Sequence, residues 1–417
     1  MTAQTEQTTE FQNKLFINDN INILNGLNSN LVDLVYLDPP FNSKRVYNAA
    51  LGSYAEGSSF KDTWKWKDVD EFKLDSIASY SEDLAIFIKT ISKISDESMM
   101  AYITYMAQRV IQLHRILKPT GSLYYHCDPT AGHFVKLMLD CIFGRKNFRN
   151  EIVWCYKFGG RGRKDFARKH DLIYRYSKTN DYYFNSEEVL VPYESGMAQW
   201  SYEQGLKKEM PEGKIPEDWW DIPTINAMSK ERTGYPTQKP LALLDRIIKS
   251  SCPENGIVLD PFCGCATTCV SAEHLGRHWI GIDIEDQAVD ILIARLTDGQ
   301  IGAGRGLKQN FDIFKEPLQR TDVEIKNLKE PQTYKEIKQF LFEKQNHKCL
   351  GCGKEKYIED FDIDHIIPKS HGGGDYMENY QLLCRHCNVM KGDKPMEFLL
   401  QRVAYIESIK KYNFYEN

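Results

Sequence analysis

The sequence predicts an α/β fold with a largely parallel sheet that is covered on both faces, followed by a small second domain. Three apolar runs each stop at an aspartate, at Asp38, Asp260 and Asp283. Buried strands end in this way where they reach the ligand-binding edge of an open α/β sheet. Two CxxC pairs lie near the C-terminus. A chain of 417 residues is long enough for two or three domains.

The composition is that of an ordinary soluble protein, with 42% hydrophobic and 27% charged residues and a net charge of −5. No apolar run approaches the roughly 20 residues that span a bilayer, and residues 1–10 lack the core of a signal peptide. We therefore expect no membrane association and a cytoplasmic location. Eleven cysteines, an odd number, argue against a disulfide framework.

The N-terminal part predicts a strand, a helix and a second strand. Residues 16–20 form a short apolar run that closes at a polar cap, residues 21–27 are amphipathic, and the apolar run 34–37 follows. This order is typical of a βαβ unit. Asp19 is predicted to cap the helix, and a contact with a ligand is the alternative.

The strand that ends at Asp38 is followed by Pro39, Pro40 and Phe41. The two prolines stop both sheet and helix, so Asp38 and Phe41 are held close together at the edge of the sheet. A carboxylate accepts a hydrogen from an exocyclic amine, a backbone carbonyl accepts another, and an aromatic ring stacks on a planar base. Together, these three groups suit the binding of a nucleobase that is flipped out of a duplex. The alternative is an ordinary strand end.

The middle of the chain alternates between irregular and regular segments. We predict a long loop and a helix over 43–96, a helix over 97–117, a strand over 122–127 and a helix over 131–142. Residues 154–235 are the least regular and suggest an insert that recognises the substrate. Within it, six basic residues and one acid favour a loop that faces DNA over a plain solvated loop. The basic residues are Lys157, Arg161, Arg163, Lys164, Arg168 and Lys169.

The run 257–259 leads through Asp260 into a tight turn of small residues and then a helix. Backbone N–H groups at such a helix start face outward and suit an anionic or zwitterionic ligand group. A further strand ends at Asp283, roughly 20 residues beyond the turn, where an acid binds ribose hydroxyls in nucleotide-binding βαβ units.

From about residue 16 to 296, these motifs resemble the amino-methyltransferases that act on DNA bases with S-adenosylmethionine, in the circularly permuted group whose catalytic motif precedes the cofactor motif. The resemblance implies a Rossmann-like methyltransferase domain. It assigns catalytic roles to Asp38, Pro39, Pro40 and Phe41. It assigns cofactor binding to Asp19, Thr237, Gln238, Lys239, Asp260, Phe262, Cys263, Gly264, Thr267 and Asp283.

One departure from the family pattern lies in the cofactor turn. Relatives continue Gly-Ser-Gly, whereas this chain has Gly264, Cys265 and Ala266. Alanine lacks the freedom of glycine at positive φ, and its methyl group is expected to crowd the cofactor. The resemblance also implies the target base. Members with aspartate at the first catalytic position are more often adenine-N6 enzymes, and cytosine-N4 is the alternative.

Residues 298–333 are rich in glycine at their start, polar throughout, and read as a linker. Beyond them, the pairs Cys349/Cys352 and Cys384/Cys387 are separated by 31 residues. Four thiolates at this spacing complete a closed tetrahedral zinc site.

The residues between and after these cysteines resemble the HNH nuclease motif. The resemblance makes His365 the general base that activates water and Asn379 the residue that orients it. Asp364 and Asn388 offer the oxygen ligands that suit Mg²⁺ or Mn²⁺. The alternative is a zinc module that binds DNA without cutting it.

The predicted organisation is a methyltransferase domain over 1–297 with a target-recognition insert over about 150–235, a linker over 298–333, and an HNH domain over 334–417. The leading hypothesis is a bifunctional restriction–modification enzyme acting on double-stranded DNA. A non-catalytic DNA-binding regulator is the alternative. The oligomeric state stays open, with a homodimer as one option.

Overall fold

The computed structural model describes residues 13–42, 45–49, 53, 55, 59–66, 71–156, 164–193, 202–204, 213–226, 228–297, 311–322, 333–371, 374 and 379–412. These residues cluster into two compact units, Met1–Asp322 and Val323–Asn417. Three of the basic residues in the predicted DNA-facing loop, Lys157, Arg161 and Arg163, lie outside the described residues, as do parts of the predicted insert. No described helix is long and apolar enough to cross a membrane.

The first unit is built on a sheet that has nine strands in the described part of the chain. The strands are β1 Lys14–Ile17, β2 Val32–Leu37, β3 Arg45–Asn48, β4 Ser59–Asp62, β5 Leu117–Cys127, β6 Phe148–Cys155, β7 His170–Ser177, β8 Trp219–Asp221, β9 Ile257–Asp260, β10 His278–Asp283 and β11 Asp312–Phe314, of which β3 and β4 form a separate hairpin. The large sheet has the order β11-β1-β10-β9-β2-β5-β7-β6-β8. In this order, the neighbouring strands β11, β1, β10, β9, β2 and β5 pair in parallel. Strand β7 is antiparallel to both β5 and β6.

Helices cover both faces of this sheet. They are α1 Asn20–Gly26, α2 Glu71–Tyr80, α3 Glu82–Ile94, α4 Glu97–Ile116, α5 Pro129–Phe143, α6 Leu241–Ser251, α7 Thr267–His274 and α8 Gln287–Thr297. All six residues of β2 are buried, and alternate ones enter different cores. Val35 and Leu37 pack with α1, α3, α4 and α5, whereas Leu34 and Tyr36 pack with α6, α7 and α8. The alternation follows from the two-residue period of a strand and explains the continuous apolar run.

Two segments differ from the sequence prediction. Residues 43–96 contain the β3–β4 hairpin and two helices, α2 and α3, instead of one loop and one helix. The predicted linker 298–333 contains β11, which pairs with β1 at the edge of the sheet. The short apolar run of β11 is too brief to stand out as a strand before its pairing partner is known.

The second unit has the order α9 Tyr334–Lys344, β12 Phe361–His365, β13 Tyr380–Cys384, α10 Arg385–Lys391 and α11 Met396–Tyr412. Thr333 and Glu336 form a capping box that starts α9. Strands β12 and β13 are antiparallel, and α10 follows β13 directly, which gives a ββα arrangement. Its core is small and includes Cys349, Cys384 and Cys387, so a bound metal would add substantially to its stability.

Candidate functional site

A cavity of about 410 Å³ lies at the carboxyl edge of the parallel strands. Asp19 and Asp38 follow β1 and β2, and Asp260 and Asp283 are the last residues of β9 and β10. These four strands are neighbours in the sheet, and all four aspartates line the cavity. The strands run in parallel, so their acidic ends meet at one edge. The structure thus brings together the residues that the sequence predicted for the catalytic and cofactor motifs. The predicted residues that line the cavity are Asp19, Asp38, Pro39, Pro40, Phe41, Thr237, Gln238, Lys239, Asp260, Phe262, Cys263, Gly264, Thr267 and Asp283.

The two oxygen atoms of the Asp38 carboxylate lie in different environments. Its Oδ2 accepts a hydrogen bond from the ammonium group of Lys239, and both side chains are less than one-fifth exposed. Its Oδ1 is buried and has no hydrogen-bond partner among the residues that the structure describes. A buried acceptor without a partner is costly, so Oδ1 is suited to receive a hydrogen from a ligand in the cavity. Lys239 was predicted to bind the cofactor; the structure places its ammonium on Asp38.

Behind Asp38 lies His126, which is fully buried on β5. Its Nδ1 is 2.9 Å from the Tyr36 hydroxyl and 4.0 Å from Asp38 Oδ1. Its Nε2 is 3.2 Å from Asp171 Oδ2 on β7. This network is not predictable from the sequence, because a single histidine in a strand is more often a satisfied core residue than a functional one.

The ring of Phe41 is held by its neighbours. It stacks on the His126 ring with the centroids 5.9 Å apart, and the Lys239 ammonium lies 5.6 Å from its centre. The next residue, Asn42, has a φ of 62° and is buried. Its backbone N–H donates to Asp62 and its side-chain oxygen accepts from Ser98, so the chain leaves the turn in a fixed direction.

Asp260 organises the start of the cofactor turn. Its Oδ1 accepts from the Phe262 N–H at 3.0 Å, and its Oδ2 accepts from the Thr268 hydroxyl at 2.5 Å. Burial raises the pKa of Asp260 to about 7, against the opposing effect of these two hydrogen bonds. The carboxyl group is therefore close to its titration point near neutral pH.

Asp283 joins the end of β10 to the same turn. Its Oδ2 accepts from the Gly264 N–H at 2.7 Å, and its Oδ1 accepts from the Glu285 N–H at 2.9 Å. Burial raises the pKa of Asp283. Gly264 has a φ of +50°, and a Cβ at this position would meet the ring of Tyr235 at 3.0 Å. This position requires glycine for both its backbone angle and its space.

Ala266 adopts the left-handed conformation, with φ 57° and ψ 33°, at the start of α7. It is fully buried in the core and is absent from the described residues that line the cavity. Its methyl group therefore packs in the core, a position that argues against crowding of the cofactor. The buried Arg295, which was not predicted from the sequence, donates to the Cys265 carbonyl at 2.7 Å and to the Thr267 hydroxyl at 2.9 Å. These bonds hold the turn on either side of Ala266.

Asp19 caps α1 as predicted, and it also lies in the lining of the cavity. Its Oδ1 accepts from the Ile21 N–H. Its Oδ1 also accepts from Arg109 at 2.7 Å, and Arg109 stacks on the ring of Tyr105. Tyr105 and Trp64 form an aromatic wall of the cavity, with ring centroids 4.2 Å apart. Neither Arg109 nor this wall was found from the sequence.

The second unit brings the four predicted cysteines together. The sulfur atoms of Cys349, Cys352, Cys384 and Cys387 all lie within 4.8 Å of one another. Zinc–thiolate bonds of about 2.3 Å in a tetrahedron place sulfur atoms about 3.8 Å apart, and the Cys352 and Cys384 sulfurs are 4.0 Å apart. A metal ion fits this cluster.

The predicted nuclease residues lie on the ββα arrangement. Asp364 on β12 accepts from Gln381 at 2.8 Å and pairs with the buried Lys391 at 3.0 Å. The amide nitrogen of Asn388 lies 3.5 Å from an oxygen of Asp362, a residue that the sequence analysis did not select.

Asn379 and His365 occupy adjoining positions in this arrangement. The buried side chain of Asn379 accepts from the Ile367 N–H at 2.8 Å and donates to the Ile367 carbonyl at 3.1 Å. It therefore fixes the loop that begins immediately after His365. The ring of His365 packs edge-on against Tyr380, with centroids 5.1 Å apart.

Comparisons with known proteins agree with the two units. The DNA methylase family matches residues 32–294, and the HNH endonuclease family matches residues 349–394. The type II methyltransferase M.BglII of Bacillus subtilis is 28% identical over 289 residues, which cover 67% of this chain and 67% of that protein. The DNA adenine methyltransferase YhdJ of Escherichia coli is 28% identical over 269 residues, 64% of this chain and 76% of that protein.

Among solved structures, the PvuII DNA methyltransferase, described as cytosine-N4-specific, is similar with a TM-score of 0.45 and 13% identity, covering 69% of this chain and 87% of that one. The family match extends over more than half of the chain. The protein is a member of the DNA methylase family, with an α/β methyltransferase domain followed by an HNH endonuclease domain.

Proposed function

We propose that the first unit transfers a methyl group from S-adenosylmethionine to the exocyclic amine of a base in double-stranded DNA, and that the base is adenine, modified at N6. The observation that carries the proposal is the buried Oδ1 of Asp38, which has no partner within the described part of the chain and lies in a residue that lines the same cavity as Phe41. Such an acceptor needs a donor from the ligand, and an amino group on a flipped, stacked base supplies it.

The cavity fits the cofactor. Its volume of about 410 Å³ lies in the range of small-molecule sites. Asp283 would bind the ribose hydroxyls, and the turn from Asp260 to Gly264 would surround the centre of the molecule. Asp19 would bind the edge of the cofactor, and Thr237 and Gln238 would lie beside its methionine part. When bound, the cofactor supplies an electrophilic methyl group on a positively charged sulfur.

The residues of this chain prepare the amine for attack. The lone pair of an exocyclic amine is delocalised into the ring, which makes it a weak nucleophile. Asp38 Oδ1 and the carbonyl of Pro39 would accept its two hydrogens and favour a tetrahedral nitrogen. Phe41 would stack on the base, and Pro40 would keep these groups rigid. No covalent link between the enzyme and the base is needed.

Two considerations support adenine over cytosine-N4. The first catalytic position is an aspartate, Asp38. The relative YhdJ, 28% identical, is described as a DNA adenine methyltransferase. The transfer itself is tested by incubating unmethylated DNA with the protein, methyl-labelled S-adenosylmethionine and a chelator that silences the nuclease. Labelled DNA from the wild type and none from Asp38→Ala is expected. No label from folded wild type would contradict the proposal.

We infer that the second unit cleaves DNA, so that the chain is a restriction–modification enzyme. His365 would act as the general base, held by the loop that Asn379 fixes. Asp364 and Asn388 would bind Mg²⁺ or Mn²⁺, and the four cysteines would bind zinc. Purified protein should convert a supercoiled, unmethylated plasmid to open or linear forms with Mg²⁺, and His365→Ala should not. Equal cleavage by both proteins would exclude His365 as the base.

A further inference from the structure

The guanidinium group of Arg109 on α4 is buried next to the start of α1. Its side chain is 2% exposed. Its Nη2 donates to Asp19 Oδ1 at 2.7 Å, its Nε donates to Asn20 Oδ1 at 2.5 Å, and its Nη1 donates to the Tyr105 carbonyl at 3.1 Å. Hydrogen bonds from three nitrogen atoms to three different residues hold the planar group in one orientation.

Asn20 connects Arg109 to the cofactor turn. Because its side-chain oxygen accepts from Arg109, its amide nitrogen points the other way and donates to the Pro261 carbonyl at 2.8 Å. Asn20 is buried, and Pro261 directly follows Asp260 in the turn. These two bonds fix the start of α1, and with it the backbone of Asp19, relative to the cofactor turn.

The two oxygen atoms of Asp19 differ in their partners. Oδ1 accepts from Arg109 and from the Ile21 N–H. Oδ2 accepts no hydrogen bond from the residues that the structure describes, and the side chain is 42% exposed and lines the cavity. A carboxylate oxygen accepts hydrogen bonds and cannot donate them. Asp19 therefore offers a ligand one acceptor, held by the bonds on its other oxygen.

The same arginine joins this acceptor to an aromatic surface. The guanidinium carbon of Arg109 lies 3.2 Å from the centre of the Tyr105 ring, and Trp64 packs against the other residues of that wall with its ring centroid 4.2 Å from that of Tyr105. Tyr105, Trp64 and Asp19 all line the cavity. An aromatic wall with an acceptor next to it suits a planar heterocycle that carries an amino group on its edge.

We propose that Arg109 is a positioning residue that sets the specificity of the cofactor site: by holding Asp19 Oδ1, it leaves Oδ2 to accept the 6-amino group of the adenine ring of S-adenosylmethionine. The inference rests on the proposed use of this cofactor and deepens it, because it states which purine the site accepts. A purine with a 6-oxo group presents an oxygen to Oδ2, and two acceptors without a hydrogen between them repel each other. The site therefore selects adenine over hypoxanthine.

The test compares two product analogues, S-adenosylhomocysteine and S-inosylhomocysteine, which carry adenine and hypoxanthine. Their Kd values are measured by calorimetry on the full chain. Wild type should bind the adenine compound about 30-fold more tightly. Arg109→Met releases Oδ1, so the carboxylate is free to turn, and the preference should fall to about threefold or less.

Arg115→Met is the matched control. Arg115 lies on the same helix and donates to the carbonyls of Leu24 and Leu27, at the other end of α1. It removes an arginine that holds α1 without touching Asp19, so its preference for the adenine compound should equal that of wild type.

Asp19→Asn is a second variant, and it keeps a good helix cap. The two donors on Oδ1, from Arg109 and the Ile21 N–H, would hold the amide oxygen of the new side chain, so its amide nitrogen would face the ligand as a donor. We expect the preference to invert, with S-inosylhomocysteine bound about tenfold more tightly. Loss of packing alone would weaken both compounds alike and leave their order unchanged.

Equal binding of the two compounds by wild type would overturn the inference. So would an unchanged preference in folded Arg109→Met, or a retained preference for adenine in Asp19→Asn; the second variant decides if the first does not fold. Binding of neither compound by folded wild type would contradict the proposed cofactor itself, whereas tight binding of both with no preference contradicts only the role of Arg109 and Asp19.

Discussion

Replacing Lys239 with methionine removes one member of the ion pair at the catalytic turn. The side chain of Lys239 is 9% exposed and that of Asp38 is 17% exposed. Removing one partner of a buried pair costs about 3 to 5 kcal/mol, because the other charge stays buried without its counterion. Water reaches Asp38 in part, so we expect Lys239→Met to lower the free energy of unfolding by about 2 to 3 kcal/mol.

The assay is urea unfolding followed by tryptophan fluorescence. All seven tryptophans, the last of which is Trp279, belong to the first unit, so the signal is independent of the second unit. Lys230→Met is the control, because Lys230 is exposed and lies in the same segment before α6. Adding Asp38→Asn to Lys239→Met should recover about 2 kcal/mol, since the uncompensated charge is then absent.

Equal stabilities of Lys239→Met and Lys230→Met would contradict a stabilising ion pair between Lys239 and Asp38. Simply additive effects of Lys239→Met and Asp38→Asn on the free energy of unfolding would contradict it as well. Additive effects would mean that the two side chains do not interact in solution, and that another group fixes the Asp38 carboxylate.

Three further predictions concern other parts of the chain. The pKa of Asp260, about 7 when folded, means that the folded state holds a proton that the unfolded chain releases above about pH 4. Between pH 4 and 7 the wild type should therefore lose about 4 kcal/mol of stability relative to Asp260→Asn, and equal slopes of unfolding free energy against pH would contradict this. Cys384→Ser should release zinc, measured by mass spectrometry, and unfold the second unit, while tryptophan fluorescence stays unchanged; retained zinc would exclude the four-cysteine site. Ala266→Gly removes the backbone strain of an alanine in the left-handed conformation, but glycine also makes the unfolded chain more flexible. The two effects oppose each other, so the free energy of unfolding should stay within about 1 kcal/mol of wild type, and the cofactor affinity should not change. A tighter complex would restore the idea that the methyl group crowds the cofactor.

The sequence was sufficient to place the acidic residues at one edge of the sheet. Asp38, Asp260 and Asp283 each follow an apolar run, and the carboxyl ends of parallel strands share an edge, so their proximity follows from the pattern alone. The four cysteines were found for a similar reason, because their spacing is set by tetrahedral coordination. In both cases the local sequence pattern determines which side chains lie close together.

Contacts between distant segments were not accessible in this way. Lys239 is 201 residues from Asp38, and its neighbouring motif suggested the cofactor instead. His126 and Asp171 meet only because β5 and β7 pair antiparallel, with His126 opposite Ile173 and Cys127 opposite Leu172. No local pattern predicts that pairing or its register, and the register decides which side chains face each other.

The hydrogen bonds that support the turn around Ala266 could not be predicted from the sequence either. The resemblance to the DNA amino-methyltransferases implied that Ala266 stands in place of a glycine in the cofactor turn, which suggested a crowded cofactor. The structure instead has Ala266 turned into the core, with Arg295 from α8 bound to the turn on either side of it. Arg295 is 30 residues from Cys265, and nothing in its surroundings in the sequence marks it as a partner.

Methyl transfer is tested directly by nucleoside mass spectrometry of unmethylated DNA after incubation with purified protein, S-adenosylmethionine and a chelator, alongside Asp38→Ala. N6-methyladenine is expected from the wild type and none from the variant. N4-methylcytosine would keep the methyltransferase and contradict the choice of adenine. Absence of both modified bases from folded, cofactor-saturated wild type would contradict the central claim that Asp38 and Phe41 present a flipped base for methylation.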